Sequence, residues 1–89
     1  MAARRVLYKG RVQGVGFRKR TKAVAARFKV TGYVKNLGDG TVELIAEGDD
    51  REIDEFLADV SRAMAREIAA AESEVITATG YPDFDVRRD

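Results

Sequence analysis

The spacing of apolar residues changes period repeatedly along this chain, and that alternation limits the folds open to it. Val6, Tyr8, Gly10 and Val12 recur at every second residue, the pattern of a strand with one buried face. Leu7 faces the other way, so this strand is expected to be covered on both sides. From Phe17 the recurrence becomes Phe17, Thr21, Val24, Ala25 and Phe28, which lie along one side of a helix. Residues 33–36 and 41–46 return to strand character, joined by Leu37-Gly38-Asp39-Gly40, where Asp-Gly is a strong hairpin signal. A second helical stripe follows in Ile53, Phe56, Leu57, Val60, Met64 and Ile68. Asp49 stands three residues before Glu52, the spacing of a capping box, and marks the start of that helix.

The stretch 65–79 carries mixed signals. Ala69-Ala70-Ala71 favours helix, Val75-Ile76-Thr77 favours strand, and no Gly or Pro separates them. The reading adopted ends the helix between Met64 and Ile68 and places a strand over much of 68–78. Gly80-Tyr81-Pro82-Asp83 reads as a turn or edge segment, and 84–87 as a short closing strand. The order strand, helix, strand, strand, helix, strand predicts an α+β sandwich of the ferredoxin-like type, with two helices on one face of a mostly antiparallel sheet. Residues 1–89 are read as a single domain, with no repeat or linker.

Composition removes several chemistries. There is no cysteine, which excludes disulfides, thiolate metal sites and a cysteine nucleophile. There is no histidine, so the commonest general base and metal ligand are both missing. The net charge of +1 hides an asymmetry: residues 4–35 carry almost only positive charges, and acids dominate the charges of residues 39–74. A basic half suits a small anionic ligand or a nucleic acid, or is simply a solvated face. No apolar leader follows Met1 and no run is long enough to cross a membrane, which gives a cytoplasmic expectation. The small size and mixed later surface point to a monomer.

The first strand runs into Gly10-Arg-Val-Gln-Gly-Val-Gly-Phe-Arg18. Two closely spaced glycines before a helix let backbone N–H groups converge, and the helix N-terminus adds its positive end. An arginine at the exit supplies a planar fork for phosphate. The same pattern also serves as a plain strand-to-helix turn, and spacing alone leaves both readings open. A second cluster, Gly32-Tyr-Val-Lys-Asn36 with Gly40, Val42 and Gly48, lies on the hairpin. In a split βαβ topology the end of its first strand can approach the start of the first helix, and Asn36 with it.

These two clusters, in this order, resemble the signature motifs of the acylphosphatases, and the resemblance runs from about Val6 to Val86. It implies hydrolysis of the carboxyl-phosphate bond of small acyl phosphates, giving carboxylate and inorganic phosphate, with no cofactor and no metal. It further implies that Gln13, Gly14, Val15, Gly16 and Phe17 cradle phosphate through main-chain N–H groups. Arg18 binds phosphate directly and Asn36 orients the attacking water, so Arg18 and Asn36 are the expected catalytic residues. Two departures stand out: Leu37 occupies a place where many members carry Ser or Thr, and residues 64–71 replace a Gly-Pro-rich break. Lys35 reads as a solvated strand residue; Arg11, Lys19 and Arg20 either steer anions or are solvated.

Two rival functions fit parts of this pattern. RNA-recognition domains share the topology but stack bases on strand aromatics. Residues 41–46 contain no aromatic, which argues against nucleic acid as a partner. Acylphosphatase-like domains also occur inside larger hydrogenase-maturation proteins, where they serve carbamoyl-phosphate chemistry. The presence of Met1 and the early end of the chain favour a free-standing enzyme.

Overall fold

The computed structural model of the chain describes residues 1–88. Five strands and two helices follow the order expected: β1 (Ala2–Gly10), α1 (Phe17–Ala25), β2 (Val30–Asn36), β3 (Val42–Gly48), α2 (Asp50–Ala63), β4 (Ile68–Val75) and β5 (Phe84–Arg87). The sheet order is β4-β1-β3-β2-β5. β1 pairs antiparallel with β3 and β4, and β2 antiparallel with β3. β5 closes the far edge, parallel to β2. This is the ferredoxin-like sandwich, with its short extra strand at an edge.

Alternation along the central strands builds the core. Val6 and Tyr8 of β1, Val34 of β2, and Val42, Leu44 and Ala46 of β3 turn towards the helices. They meet Phe17 and Val24 of α1 and Ile53, Phe56, Val60 and Met64 of α2. Phe56 sits between Phe28 at 6.0 Å and Phe84 at 5.4 Å, ring centre to ring centre. Burying one such side chain contributes on the order of 1.5–3 kcal/mol. Met64 is fully buried, as a flexible gap-filler at a helix end should be. Phe28 lies beyond the end of α1 and still packs against the core.

The capping box expected at α2 does not form. Asp49 is the N-cap residue and its carbonyl accepts from the Ile53 N–H at 3.0 Å, but its side chain makes no cap hydrogen bond. Glu52 is drawn away instead and accepts from the Lys29 N–H at 2.7 Å, tying α2 to the start of β2. The expected boundary region is resolved by a turn: the Glu67 and Ile68 N–H groups both donate to the Met64 carbonyl, and β4 begins at Ile68.

The sheet face away from the helices is also covered in part. After β4 the chain crosses that face to reach β5, starting with Ile76 N–H donating to the Ala3 carbonyl at 3.1 Å. Glu47, only 1% exposed, receives the N–H groups of Thr79, Gly80 and Tyr81. Burial alone would push its carboxyl up, yet these three donors hold it below the usual carboxylate range. Asp83 then accepts from the Gly32 N–H at 2.9 Å and β5 falls into place. Beside this strap the Arg87 guanidinium lies 4.2 Å from the centre of the Tyr33 ring.

Candidate active site

The turn from β1 into α1 is set by its glycines. Gly14 and Gly16 adopt φ of +77° and +76°, a region in which side chains other than glycine are strained. A Cβ at either would meet nothing within 4 Å, so conformation and not space requires glycine there. Val12, 1% exposed, anchors one end of the loop in the core, and Phe17 anchors the other against Tyr8 at 5.2 Å. Helix α1 carries no side-chain cap and no acidic residue in its first turn. Among the described residues, no protein group accepts from the backbone N–H groups of 13–19. Unpaired amides at a helix N-terminus favour negative charge beside them.

Gly14, Gly16, Phe17, Arg18 and Lys19 of this stretch border a cavity of about 480 Å³. Gly14, Gly16, Phe17 and Arg18 form one side of it, and Asn36, at the end of β2, forms another. The sheet topology therefore brings the two sequence clusters to one cavity. Arg18 is half-buried and its Nη1 donates to the Arg87 carbonyl at 3.2 Å, which ties the guanidinium to β5. Asn36 is half-buried too, and its Oδ1 is buried with no hydrogen-bond partner among the described residues. Leaving such an oxygen unpaired costs about 1–3 kcal/mol, and Thr21 Oγ1 on α1 is in the same state.

Two of the expected loop residues, Gln13 and Val15, are not among the residues that line the cavity. Val15 is at the loop tip, 44% exposed. Gln13 turns its side-chain amide towards the hairpin, where Nε2 donates to the Leu37 and Thr41 carbonyls at 2.8 and 2.9 Å. Leu37 thus takes part through its backbone alone. Of the other basic residues, Lys19 lines the cavity, whereas Arg20 is tied to Glu67 at 2.7 Å and to the Ala63 carbonyl.

Lys22, Asp85, Val86 and Arg88 also line the cavity and were not singled out from sequence. Lys22 stands four residues after Arg18, one helical turn on, so that spacing was readable. Asp85, Val86 and Arg88 arrive only because β5 pairs beside β2, and no local signal announces that. Lys22 bonds Asp85 at 3.0 Å, and that hydrogen bond holds the Asp85 carboxyl below its ordinary range. Among the described residues, cations outnumber the single carboxylate along the cavity wall, which suits an anionic ligand.

The sequence model of the Acylphosphatase family matches residues 4–86. The chain belongs to the acylphosphatase family. It is 42% identical over 88 residues to the acylphosphatase of Treponema denticola, covering 97% of this chain and 93% of that one. The crystal structure of acylphosphatase from Bacillus subtilis superposes with a TM-score of 0.88 at 30% identity, covering 98% of this chain and 99% of that one. HypF of T. kodakarensis matches the whole chain at 33% identity and a TM-score of 0.85, but over only 12% of its own length. Family membership makes this chain a hydrolase acting on acid anhydrides and supports an acyl phosphate as its small-molecule substrate. Tyr8 and Tyr33, aromatics that β1 and β2 could offer to a base, are engaged elsewhere: Tyr8 is buried against Phe17, and Tyr33 lies beneath Arg87.

Proposed function

We propose that the cavity binds the phosphoryl group of a small acyl phosphate in the 13–18 loop and directs a water from Asn36 onto phosphorus. The observation that carries this reading is that Asn36, whose Oδ1 no group among the described residues holds, lines the same cavity as Arg18 and the loop glycines. Backbone N–H groups from Gln13 to Phe17 receive the phosphoryl oxygens, and Arg18 grips one edge with its guanidinium. The Arg87 carbonyl occupies one of the Arg18 donors, so the fork is aimed before the ligand arrives.

An amide is too weak a base to take a proton, so Asn36 acts by orientation. Its side-chain amide, which lines the cavity, hydrogen-bonds the water and turns a lone pair towards phosphorus. As the new O–P bond forms, the bond from phosphorus to the bridging oxygen breaks and a carboxylate leaves. The proton lost by the water ends on the phosphate product or in solvent. A carboxylate is a good leaving group and needs no general acid, which agrees with a chain without histidine. Positioning and charge stabilisation dominate phosphoryl transfer, and fixed amides with a guanidinium supply both without a metal.

The test is hydrolysis of benzoyl phosphate, with EDTA present, by wild type, Arg18→Ala and Asn36→Ala. Arg18→Ala should lose at least about a hundred- to a thousandfold in kcat/KM and should weaken inhibition by phosphate. Asn36→Ala should lose turnover with less damage to phosphate binding. Folded wild type without turnover would refute the reading. So would an Asn36→Ala protein with weakened phosphate binding and unchanged turnover.

A further inference from the structure

We infer that the Gln13 side chain is a positioning residue, which fixes the distance between the phosphate-binding loop and Asn36. The inference rests on the reading of the site above and concerns the side chain of Gln13, not its backbone amide. The hairpin that carries Asn36 is already closed by its own backbone. Leu37 N–H donates to the Thr41 carbonyl at 2.9 Å, Gly40 N–H to the Leu37 carbonyl at 3.3 Å, and Asn36 pairs with Val42. The loop has its own anchors as well: Arg11 N–H donates to the Glu67 carbonyl, and the Gly16 carbonyl accepts from Arg20 N–H. None of these bonds runs from the loop to the hairpin.

Gln13 makes that connection. Its Nε2 spans from the loop to the Leu37 and Thr41 carbonyls, which flank the turn directly after Asn36. Each carbonyl has a second lone pair for this bond, since each already serves one backbone N–H. A terminal amide suits the task. It offers two donors without a charge, whereas Arg or Lys would add a competing cation beside the phosphate cradle. Asn has the same amide but is one methylene shorter. Gln13 is half-buried, so water competes less for these bonds than at an open surface.

Phosphate is held by the loop, and the water is held by Asn36 on a different element. The angle and distance of attack therefore depend on how the two elements sit against each other. A misplacement of about 1 Å in such an arrangement can cost about a hundredfold in rate. Binding of phosphate alone does not need the hairpin. The side chain of Gln13 should accordingly matter to kcat and hardly to phosphate affinity.

The experiment is a double-mutant cycle on benzoyl phosphate hydrolysis with wild type, Gln13→Met, Asn36→Ala and the double variant. Inhibition by inorganic phosphate is measured on each. Gln13→Met keeps the side-chain length and removes both donors. The expected result is a kcat lowered about ten- to a hundredfold, with the phosphate inhibition constant moved less than about threefold. In the Asn36→Ala background the same substitution should cost less than about twofold, because there is no oriented water left to misplace. Unchanged kcat overturns the inference. It is equally overturned if phosphate inhibition weakens in step with kcat, or if the loss recurs in full without Asn36, since either would make Gln13 part of the cradle alone. If Asn36→Ala by itself turns over like wild type, the role given to Asn36 fails first, and the inference with it. Should Gln13→Met not fold, Gln13→Asn runs through the same cycle under the same criteria.

Discussion

Glu47→Gln gives the sharpest energetic test of how this fold delivers its last strand. Glu47 is 1% exposed and receives Thr79 N–H on one carboxylate oxygen and Gly80 and Tyr81 N–H, at 2.8 and 3.2 Å, on the other. Glutamine matches the shape but has only one acceptor oxygen. That oxygen can keep Gly80 and Tyr81, now without the strengthening that a charge gives. The side-chain NH2 then meets the Thr79 N–H, donor against donor, and leaves a buried donor unsatisfied at about 1–3 kcal/mol. With the two weakened bonds added, the total loss is about 2–4 kcal/mol. For a domain of this size, that lowers Tm by roughly 10–25 °C.

The assay is urea and thermal unfolding of both proteins at a series of pH values. In the folded state the Glu47 carboxyl is held below its ordinary value, whereas the unfolded chain titrates near about 4.3. Below that value the unfolded state binds more protons than the folded one, so the contribution of Glu47 rises with pH through this window. It is fully present above the unfolded value and is lost as pH falls through the folded one. The gap between wild type and Glu47→Gln should therefore be widest near neutrality and close under acid. A gap that is the same at pH 7 and pH 3, or is below about 0.5 kcal/mol throughout, would refute the account, because surface substitutions already span that range.

Gly16→Ala should remain folded at a cost of about 1–2 kcal/mol, since a Cβ there meets no atom but φ is +76°. Its phosphate inhibition should weaken as the loop relaxes, which competitive inhibition measures. Gly32→Ala should do far worse: a Cβ would lie 1.9 Å from the Ile45 carbonyl oxygen, so the protein is expected to be insoluble or unfolded by circular dichroism. Asp85→Asn releases Lys22 from its partner and makes the cavity more cationic. KM for benzoyl phosphate should fall, most strongly at low ionic strength, with little change in thermal stability.

The elements were legible because each states its own period. Val6 and Tyr8 alternate, Phe17, Thr21 and Val24 recur at helical spacing, and all of them are buried where that pattern puts them. The loop was legible for a similar reason, as Gly14 and Gly16 mark a backbone that other residues resist. Signals that rest on a side chain's choice of partner did worse. Asp49 and Glu52 have the right spacing for a capping box, but the Lys29 N–H reaches Glu52 from another element. Lys22 stood at a readable helical spacing from Arg18, yet only β5 gives it Asp85 as a partner.

What the sequence hid is the set of long ties that turn a sandwich into a site. Gln13 reaches the hairpin 24 and 28 residues away, Glu47 holds the strap more than 30 residues on, and Arg18 donates to Arg87 across 69 residues. Each tie ends on a backbone group, so the residue type at the far end carries no trace of it. Leu37 shows this best. It departs from the family pattern in its side chain, yet the bond from Gln13 ends on its carbonyl. On the proposed reading, local pattern specifies which residues meet the ligand, and these backbone-directed bonds specify how rigidly they are held. Loss of the Gln13 tie is therefore expected to appear in kcat before it appears in affinity, the opposite of removing the phosphate-binding group proposed for Arg18.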